Sequence, residues 1–546
     1  LCAQGLSFRC GHDAQSHQDL ASAVAIMKAA VSLILVFVLC LRMLVSILSH
    51  PLRIGWDPAL HLQCAELITR GKIPYVDMFD VNPPLIWYLD TIPALIAAAL
   101  HWPQTLTFNL CLLVVIAYCG LSLSYIINKK PAFEGQDMVM LGILAGALFF
   151  NFQLRYDFGQ REEIFVLLYL PYLFLRYSRY RGAPIGSREA IFFGVAGALG
   201  ICLKHYFLLV AVLVELAMLL AWGGLKKLLA PENYAALAFA LLYLGHFLLA
   251  PAAMKDNYFN FLVPAFAKGY GFWDTCLANS LAAPDKRGVF YLTAVCAAFA
   301  LMLCRRVPIF LPLSVFTLSS IIPYLMQFKG WNYHDIPVFA GASLLAGGLL
   351  GYLLGQTARL VKVRGMTEHL PLMVVVATSG FCFMNGMEEV ASVKGERQFD
   401  LSRLGYKGSS PWSDIDSPFT DYLLKYTRPG DAVIFISNGV SPGYPLLTQF
   451  ALAPGSRHLH CCILSVFQFI KEAEPDNAEA RKLLSREPEV IEQYGIDIAA
   501  KKPVLIFIQE APVISYLNPY DFFGKYMKSY ERLGSAANFS VYRRVD

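Results

Sequence analysis

The chain has 546 residues, 56% of them hydrophobic and only 16% charged, with a formal net charge of +5. Soluble proteins carry nearer a quarter charged residues. The apolar runs exclude a large soluble enzyme: Leu106–Ile127 holds no charge, and Ala29–Leu48 is interrupted only by Arg42. About 20 such residues cross the hydrocarbon layer as a helix, and runs of that length are too long for barrel strands. The expected fold class is an α-helical polytopic membrane protein.

Residues Leu1–Ala25 are polar and mixed, unlike a signal or transit peptide. The first methionine is Met27, followed by Lys28 and an apolar run. Met27 is therefore the expected native start and the polar segment 1–27 is expected not to be native up to that residue, an expectation that a native peptide containing Cys10 would refute. Of the 13 cysteines, Cys40, Cys111, Cys119, Cys202 and Cys296 lie in apolar segments. A free thiol there behaves as a small hydrophobe, so no disulfide framework is expected.

Spans are predicted at Ala29–Leu48, Leu106–Ile127, Asp137–Phe152, Ile164–Tyr177, Ala190–Leu203, Tyr206–Trp222, Tyr234–Ala250, Val289–Cys304, Ile309–Met326, Ile336–Gly355 and Leu370–Met387, about eleven by the length criterion. Alternate short loops hold Lys129 and Lys130; Arg176, Arg179, Arg181 and Arg188; Lys226 and Lys227; Arg305 and Arg306; Arg359, Lys362 and Arg364. By the positive-inside rule that face is cytoplasmic. The other face receives the loop Arg53–Trp102, the turns at Arg155–Glu163, Lys204–His205 and Phe328–Asp335, the loop Ala252–Arg287 and the tail from Glu388. The domains so defined are a membrane region over 28–387, with a first exterior loop at 51–104, and an exterior domain over 388–546.

The tail differs in composition. Asp431–Ser437 (DAVIFIS) and Pro503–Glu510 (PVLIFIQE) read as buried strands, Phe539–Val545 as a third, and Asn477–Ser485 and Glu487–Tyr494 as helices. Alternating strands and helices predict a small α/β domain. It carries no glycine-rich phosphate loop. Its HLHCC run (His458–Cys462) lacks paired zinc-ligand spacing and reads as structural or incidental.

In the first exterior loop, Asp57 and Pro58 mark a helix start, where Asp57 can serve as an N-cap. Leu60, Cys64, Leu67 and Ile68 recur at helical spacing, which predicts an amphipathic helix lying on the membrane. Asp77 and Asp80 read as turn or cap residues, and Pro83–Pro84 breaks the chain before the apolar stretch Leu85–Leu100. The turn RYDFGQREEIF sets Asp157, Arg161, Glu162 and Glu163 at the membrane edge, where ionisable groups are costly and usually functional. CLKHYF supplies Lys204 and His205, and FKGWNYHDIP supplies Lys329, Trp331, Tyr333, His334 and Asp335. All of these fall on one face. Cations there suit an anionic headgroup, aromatics suit sugar faces or the lipid interface, and carboxylates suit proton abstraction.

The run from Asp57 through GKIPYVDMFDVNPPLIWYL (Gly71–Leu89) resembles the first exterior loop of GT-C membrane glycosyltransferases, nearest the protein-mannosyltransferase-like branch with the lipid A aminoarabinose transferases. The acidic turn after the third span, the lysine between paired spans and the exterior tail match as well. The resemblance covers about Ala29–Met387 and is most specific in the first loop. It implies transfer of a sugar from a polyprenyl-phosphate-linked donor to an envelope lipid, glycan or protein acceptor, in a bacterial inner membrane with the tail in the periplasm. The family's loop aspartate maps onto Asp57 as general base. Its second acid maps onto Asp157, or next Glu162. Where many relatives carry a phosphate-binding lysine before the two prolines, this chain has Asn82, so Arg161, Lys204 and Lys329 become the candidate counter-charges. His205, Trp331, Tyr333 and His334 are candidate substrate contacts. Some members need a divalent metal and others do not; Asp57 and Asp157 are the acids that would hold one. No nucleic-acid partner is expected. The alternatives are a lipid-linked glycan polymerase or ligase, and, from another class, a transporter or flippase of lipid-linked sugars. A transporter would show repeat symmetry, broken midplane helices and ionisable groups deep in its spans. A catalytically dead scaffold is the third, kept open by Asn82.

Overall fold

The computed structural model describes residues 5–282, 284–361, 366–394, 397–400, 405–408, 415, 417–473 and 477–545. Lys362 and Arg364 of the last predicted cytoplasmic loop lie outside them. The described chain is mainly helical. Nine helices come first: α1 Gly5–Ser49, α2 Trp56–Thr69, α3 Leu85–Leu100, α4 Gln104–Lys129, α5 Asp137–Phe149, α6 Arg161–Tyr180, α7 Ser187–Ile201, α8 Phe207–Trp222 and α9 Pro231–Leu249. Short helices follow, and the longer ones among them before the tail are Pro284–Leu303, Phe310–Ser319, Ile336–Val361 and Met366–Lys394.

Among the described residues, six helical stretches are long and apolar enough to cross a membrane: Ile26–Ser49, Gln104–Lys129, Pro231–Leu249, Lys286–Leu303, Asn332–Leu360 and His369–Ala391. Leu85–Leu100, Asp137–Gln153, Phe207–Trp222 and Phe310–Met326 are apolar but shorter. This composition is compatible with a multi-pass membrane protein. It does not establish the predicted count of eleven.

Small residues bring two of these helices together. Met138, Gly142 and Gly146 of α5 face Gly351, Gly347 and Ser343 of Ile336–Val361, in that order. A Cβ on Gly347 would stand 2.1 Å from the Gly142 carbonyl oxygen, and one on Gly146 2.3 Å from that of Ser343. Close backbone approach of this kind stands in for the hydrophobic drive that lipid removes. Gly142→Ala and Gly347→Ala should each cost about 1–3 kcal/mol, read as a lower melting temperature in detergent. Gly245, whose Cβ would meet nothing within 4 Å, should tolerate alanine; equal losses at all three positions would refute the packing argument.

Helix α6 carries charge at both ends. Arg161 starts it, and Arg176, buried near its far end, donates to Glu215 of α8 and, at 2.6 Å, to Glu232 of α9. Arg179 shares Glu232 at 2.8 Å. Sequence spacing placed Arg176 in a cytoplasmic loop; it lies inside the helix in this network.

The tail starts with a hairpin of β1 Arg397–Asp400 and β2 Gly405–Gly408. A five-stranded sheet follows, from β3 Ala432–Ile436, β4 Ala453–Pro454, β5 Leu505–Gln509, β6 Tyr530–Ala536 and β7 Phe539–Arg544, in the order β4-β3-β5-β7-β6. β3 pairs in parallel with β4 and β5, whereas β7 is antiparallel to β5 and β6. The predicted strands are present, and so are the helices Ala478–Leu484 and Glu487–Lys501.

The tail docks on the segment between α1 and α3 that was expected to form the first exterior loop. The Phe79 amide donates to the Arg457 carbonyl at 2.8 Å, Thr448 Oγ1 to the Ala59 carbonyl at 3.1 Å and Gln449 Nε2 to the Leu52 carbonyl at 2.9 Å. Consequently α2 is not the amphipathic surface helix its pattern predicted. Asp57–Ala65 are all buried, because the tail helix Gly443–Gln449 packs over α2.

Candidate functional site

A cavity of about 1110 Å³ opens where the loops expected on the exterior face meet the tail. Its wall takes Asp57 and Asn82 from the first loop, Arg161 from the next turn, and Lys204 and His205 from the turn before α8. Lys329, Trp331, Tyr333 and His334 come from the turn before Ile336–Val361, and His460 and Cys462 from the tail. Of the residues singled out in the turns around the site, Asp157, Glu162, Glu163 and Asp335 are missing from the lining.

Asp57 lies in the first turn of α2, but the N-cap is Gly55, so the capping reading does not hold. A Cβ on Gly55 would overlap the Tyr156 carbonyl at 2.1 Å, so the start of α2 rests against the turn that leads to Arg161. The Asp57 carboxylate is buried and makes no hydrogen bond among the described residues. Burial raises its pKa above the ordinary value, with Arg161 and Lys204 pulling the other way. Such a group accepts a proton more readily than a solvated carboxylate.

The three candidate cations are not equivalent. Lys204 Nζ is 2.5 Å from Glu162 Oε1; burial and the charge of Arg161 push it down to about 8. Lys329 is bound to Asp274 and donates to the Tyr270 carbonyl at 2.7 Å. Arg161, 4% exposed, makes no hydrogen bond or ion pair among the described residues, and its Nε is buried without a partner. A buried guanidinium with free donors is a ready anion site.

Asp157 lies in a single 3-10 turn. Burial raises it to about 6, offset in part by Lys286 and reinforced by Asp335 and Asp57. Glu162 is committed to Lys204. Among the described residues, no three His, Cys, Asp or Glu side chains gather closely enough to hold a metal ion.

Three further groups were not legible as site residues. Asp80, expected in a turn, is buried on the cavity wall. It accepts from Asn82 Nδ2 at 2.8 Å and pairs with His460 Nε2 at 3.1 Å. Burial opposes its charge, but the His460 hydrogen bond and charge hold it at about 2. His460 is the second group: within the HLHCC run, read from sequence as structural or incidental, His458 stacks on Phe79 and His460 reaches the cavity. The partner of His460 was not visible in the sequence. The third is His61, one turn beyond Asp57, fully buried with both ring nitrogens unpartnered among the described residues. Burial, then Arg161, holds it well below its usual pKa. Aromatic rings complete the wall, with Trp331 against Tyr270 at 6.1 Å and Tyr333 at 5.8 Å.

The chain matches no protein-family model and no curated protein.

Proposed function

We propose that the chain is a membrane-embedded glycosyltransferase that moves a sugar from a polyprenyl-phosphate-linked donor to an envelope lipid, glycan or protein acceptor. The observation that carries this reading is the pairing, in one cavity, of a buried carboxylate, Asp57, and a buried guanidinium, Arg161, neither with a hydrogen-bond partner among the described residues. Asp57 takes the proton of the acceptor hydroxyl as that oxygen attacks the anomeric carbon. The bond from that carbon to the phosphate oxygen breaks, and Arg161 receives the charge that develops on the phosphate. Direct displacement inverts the anomeric centre. Trp331, Tyr333, His334 and His205 line the space for sugar and carrier, and Glu162 keeps Lys204 in place.

The same reading includes eleven crossings, a bacterial inner membrane and a periplasmic tail. It is supported by the convergence on one cavity of every turn assigned to the exterior by basic-residue counting. It is supported also by α6, whose 20 residues reach about 30 Å, the thickness of the hydrocarbon layer.

Purified protein incubated with a panel of polyprenyl-phosphate sugars and candidate acceptors should release free polyprenyl phosphate together with an inverted glycoside. Movement of the lipid-linked sugar across vesicles without bond cleavage would favour a transporter. Growth of the chain on the lipid carrier itself would favour a polymerase. Cleavage of the tail by protease added to the cytoplasmic side would overturn the topology.

A further inference from the structure

A second cavity, of about 50 Å³, lies where the end of α1, the start of α4 and the turn after α5 meet. His50, Arg53, Asn109, Asn151 and Arg155 give it a polar wall, and Ile47 and Phe152 add apolar surface. A water takes about 15 Å³ by this measure, so the space suits roughly three waters or one phosphate group.

Two kinds of uncommitted group meet there. The side chains of Arg53 and Arg155 make no hydrogen bond or ion pair among the described residues. Each guanidinium carries a fixed charge and paired donors. Asn109 and Asn151 are only 3% and 2% exposed. Asn109 Nδ2 donates to the Arg53 carbonyl at 2.9 Å, and Asn151 Nδ2 to the Leu148 carbonyl at 2.9 Å. Both Oδ1 atoms are buried with no donor among the described residues. Such acceptors carry a penalty that a ligand hydroxyl would remove. The nearest carboxylate does not cancel the arginines. Glu389 contacts His50 at 3.5 Å, and is already met by Arg42 at 2.6 Å and the Ser46 hydroxyl at 3.0 Å. The arginines are partly or largely exposed and the asparagines buried, so donors stand outside and acceptors within. A ligand that fits both is an anion carrying hydroxyls; a cation would be repelled by the two arginines.

We propose that this cavity binds a hydroxyl-bearing phosphate group, as presented by a phosphatidylglycerol headgroup or by soluble glycerol phosphate. The phosphate oxygens accept from Arg53 and Arg155, and a hydroxyl donates to Asn109 or Asn151. The lipid is the source the surroundings favour. The cavity lies at the end of Ile26–Ser49, a stretch long and apolar enough to cross a membrane, and basic pockets between such helices suit lipid headgroups. Arg53 leads into α2, which carries Asp57, and Arg155 opens the turn that leads to Arg161. One ligand held by both arginines ties these segments together, beside the packing of Gly55 on the Tyr156 carbonyl. Removing it should lower sugar transfer. That consequence rests on the transferase reading; the binding does not.

The test is native mass spectrometry of the delipidated full chain in detergent, titrated with phosphatidylglycerol or phosphatidylcholine. Phosphatidylglycerol should bind about tenfold or more tightly, the equivalent of one charge-assisted hydrogen bond. Arg155→Gln should remove most of that preference, and Arg53→Gln with Arg155→Gln all of it. Neither side chain has a partner to lose among the described residues, so the melting temperature without lipid should not change. Arg305→Gln, at an exposed arginine elsewhere, should keep the preference. Excess glycerol phosphate distinguishes the sources: displacement of the lipid assigns the site to soluble phosphate esters, and retention assigns it to the membrane. Equal binding of the two lipids overturns the proposal. So does a preference that survives in the folded double variant, or one that Arg305→Gln lowers as much. None of these results touches the roles of Asp57 and Arg161, and a failure of sugar transfer would leave the binding result standing.

Discussion

Asp57→Asn is expected to lower the rate of sugar transfer by ~10²–10⁴-fold, the usual contribution of a positioned general base. Donor binding should change little, because the amide keeps the shape of the side chain. The substitution separates catalysis from folding unusually well. Asp57 caps no helix and has no hydrogen bond to lose among the described residues. Its pKa is raised by burial despite Arg161 and Lys204. A carboxyl whose folded pKa lies above its unfolded value binds more protons when native, so the stability it contributes falls as pH rises through that interval. Asparagine removes this penalty, and the melting temperature at neutral pH should hold or rise. In the wild type only the ionised form accepts a proton, so kcat/KM should climb with pH. Its acid limb should lie above the ordinary carboxylate range and vanish in the variant. Full transfer activity in Asp57→Asn would remove the base assignment.

Arg161→Ala is expected to weaken donor binding by roughly 10–100-fold, the equivalent of about 1.5–3 kcal/mol for a hydrogen bond to a charged group. The check is the KM for the lipid-linked sugar, or direct binding of polyprenyl phosphate. Arg161→Lys should recover only part of the loss, since an ammonium is a point charge without the paired donors of a guanidinium. Lys329→Ala should cost less, because its ammonium is already committed to Asp274 and the Tyr270 carbonyl. Lys204 is held by Glu162, and its charge fades as pH rises through about 8. Equal losses at Arg161 and Lys329 would move the anion site toward the turn before Ile336–Val361. Arg161 leaves no carboxylate unpaired when removed, so a folded variant is expected.

The apolar helices were legible along the chain because lipid imposes a local rule. Every backbone group must be satisfied within its own segment, so a span declares itself by about 20 apolar residues. The strands β3 and β5 were legible for a related reason: each is buried on both faces and reads as an unbroken apolar run. The collection of Asp57, Arg161, Lys204 and the FKGWNYHDIP aromatics on one side followed from counting basic residues in alternate loops. These properties depend on a residue and its near neighbours.

Partnership does not. Which of three cations keeps its donors free was decided by Glu162 and Asp274, carboxylates that only packing brings to Lys204 and Lys329. The helix α2 carried an amphipathic pattern, yet it is buried on all sides because the tail packs over it. Asp80 looked like a turn residue and His460 like part of an incidental run. They stand 380 residues apart in sequence and 3.1 Å apart in space. Local periodicity records whether a side chain faces lipid, water or core, since solvation acts on each residue singly. It carries no record of which distant group stands opposite, and in this cavity that determines which charges remain free to meet a substrate.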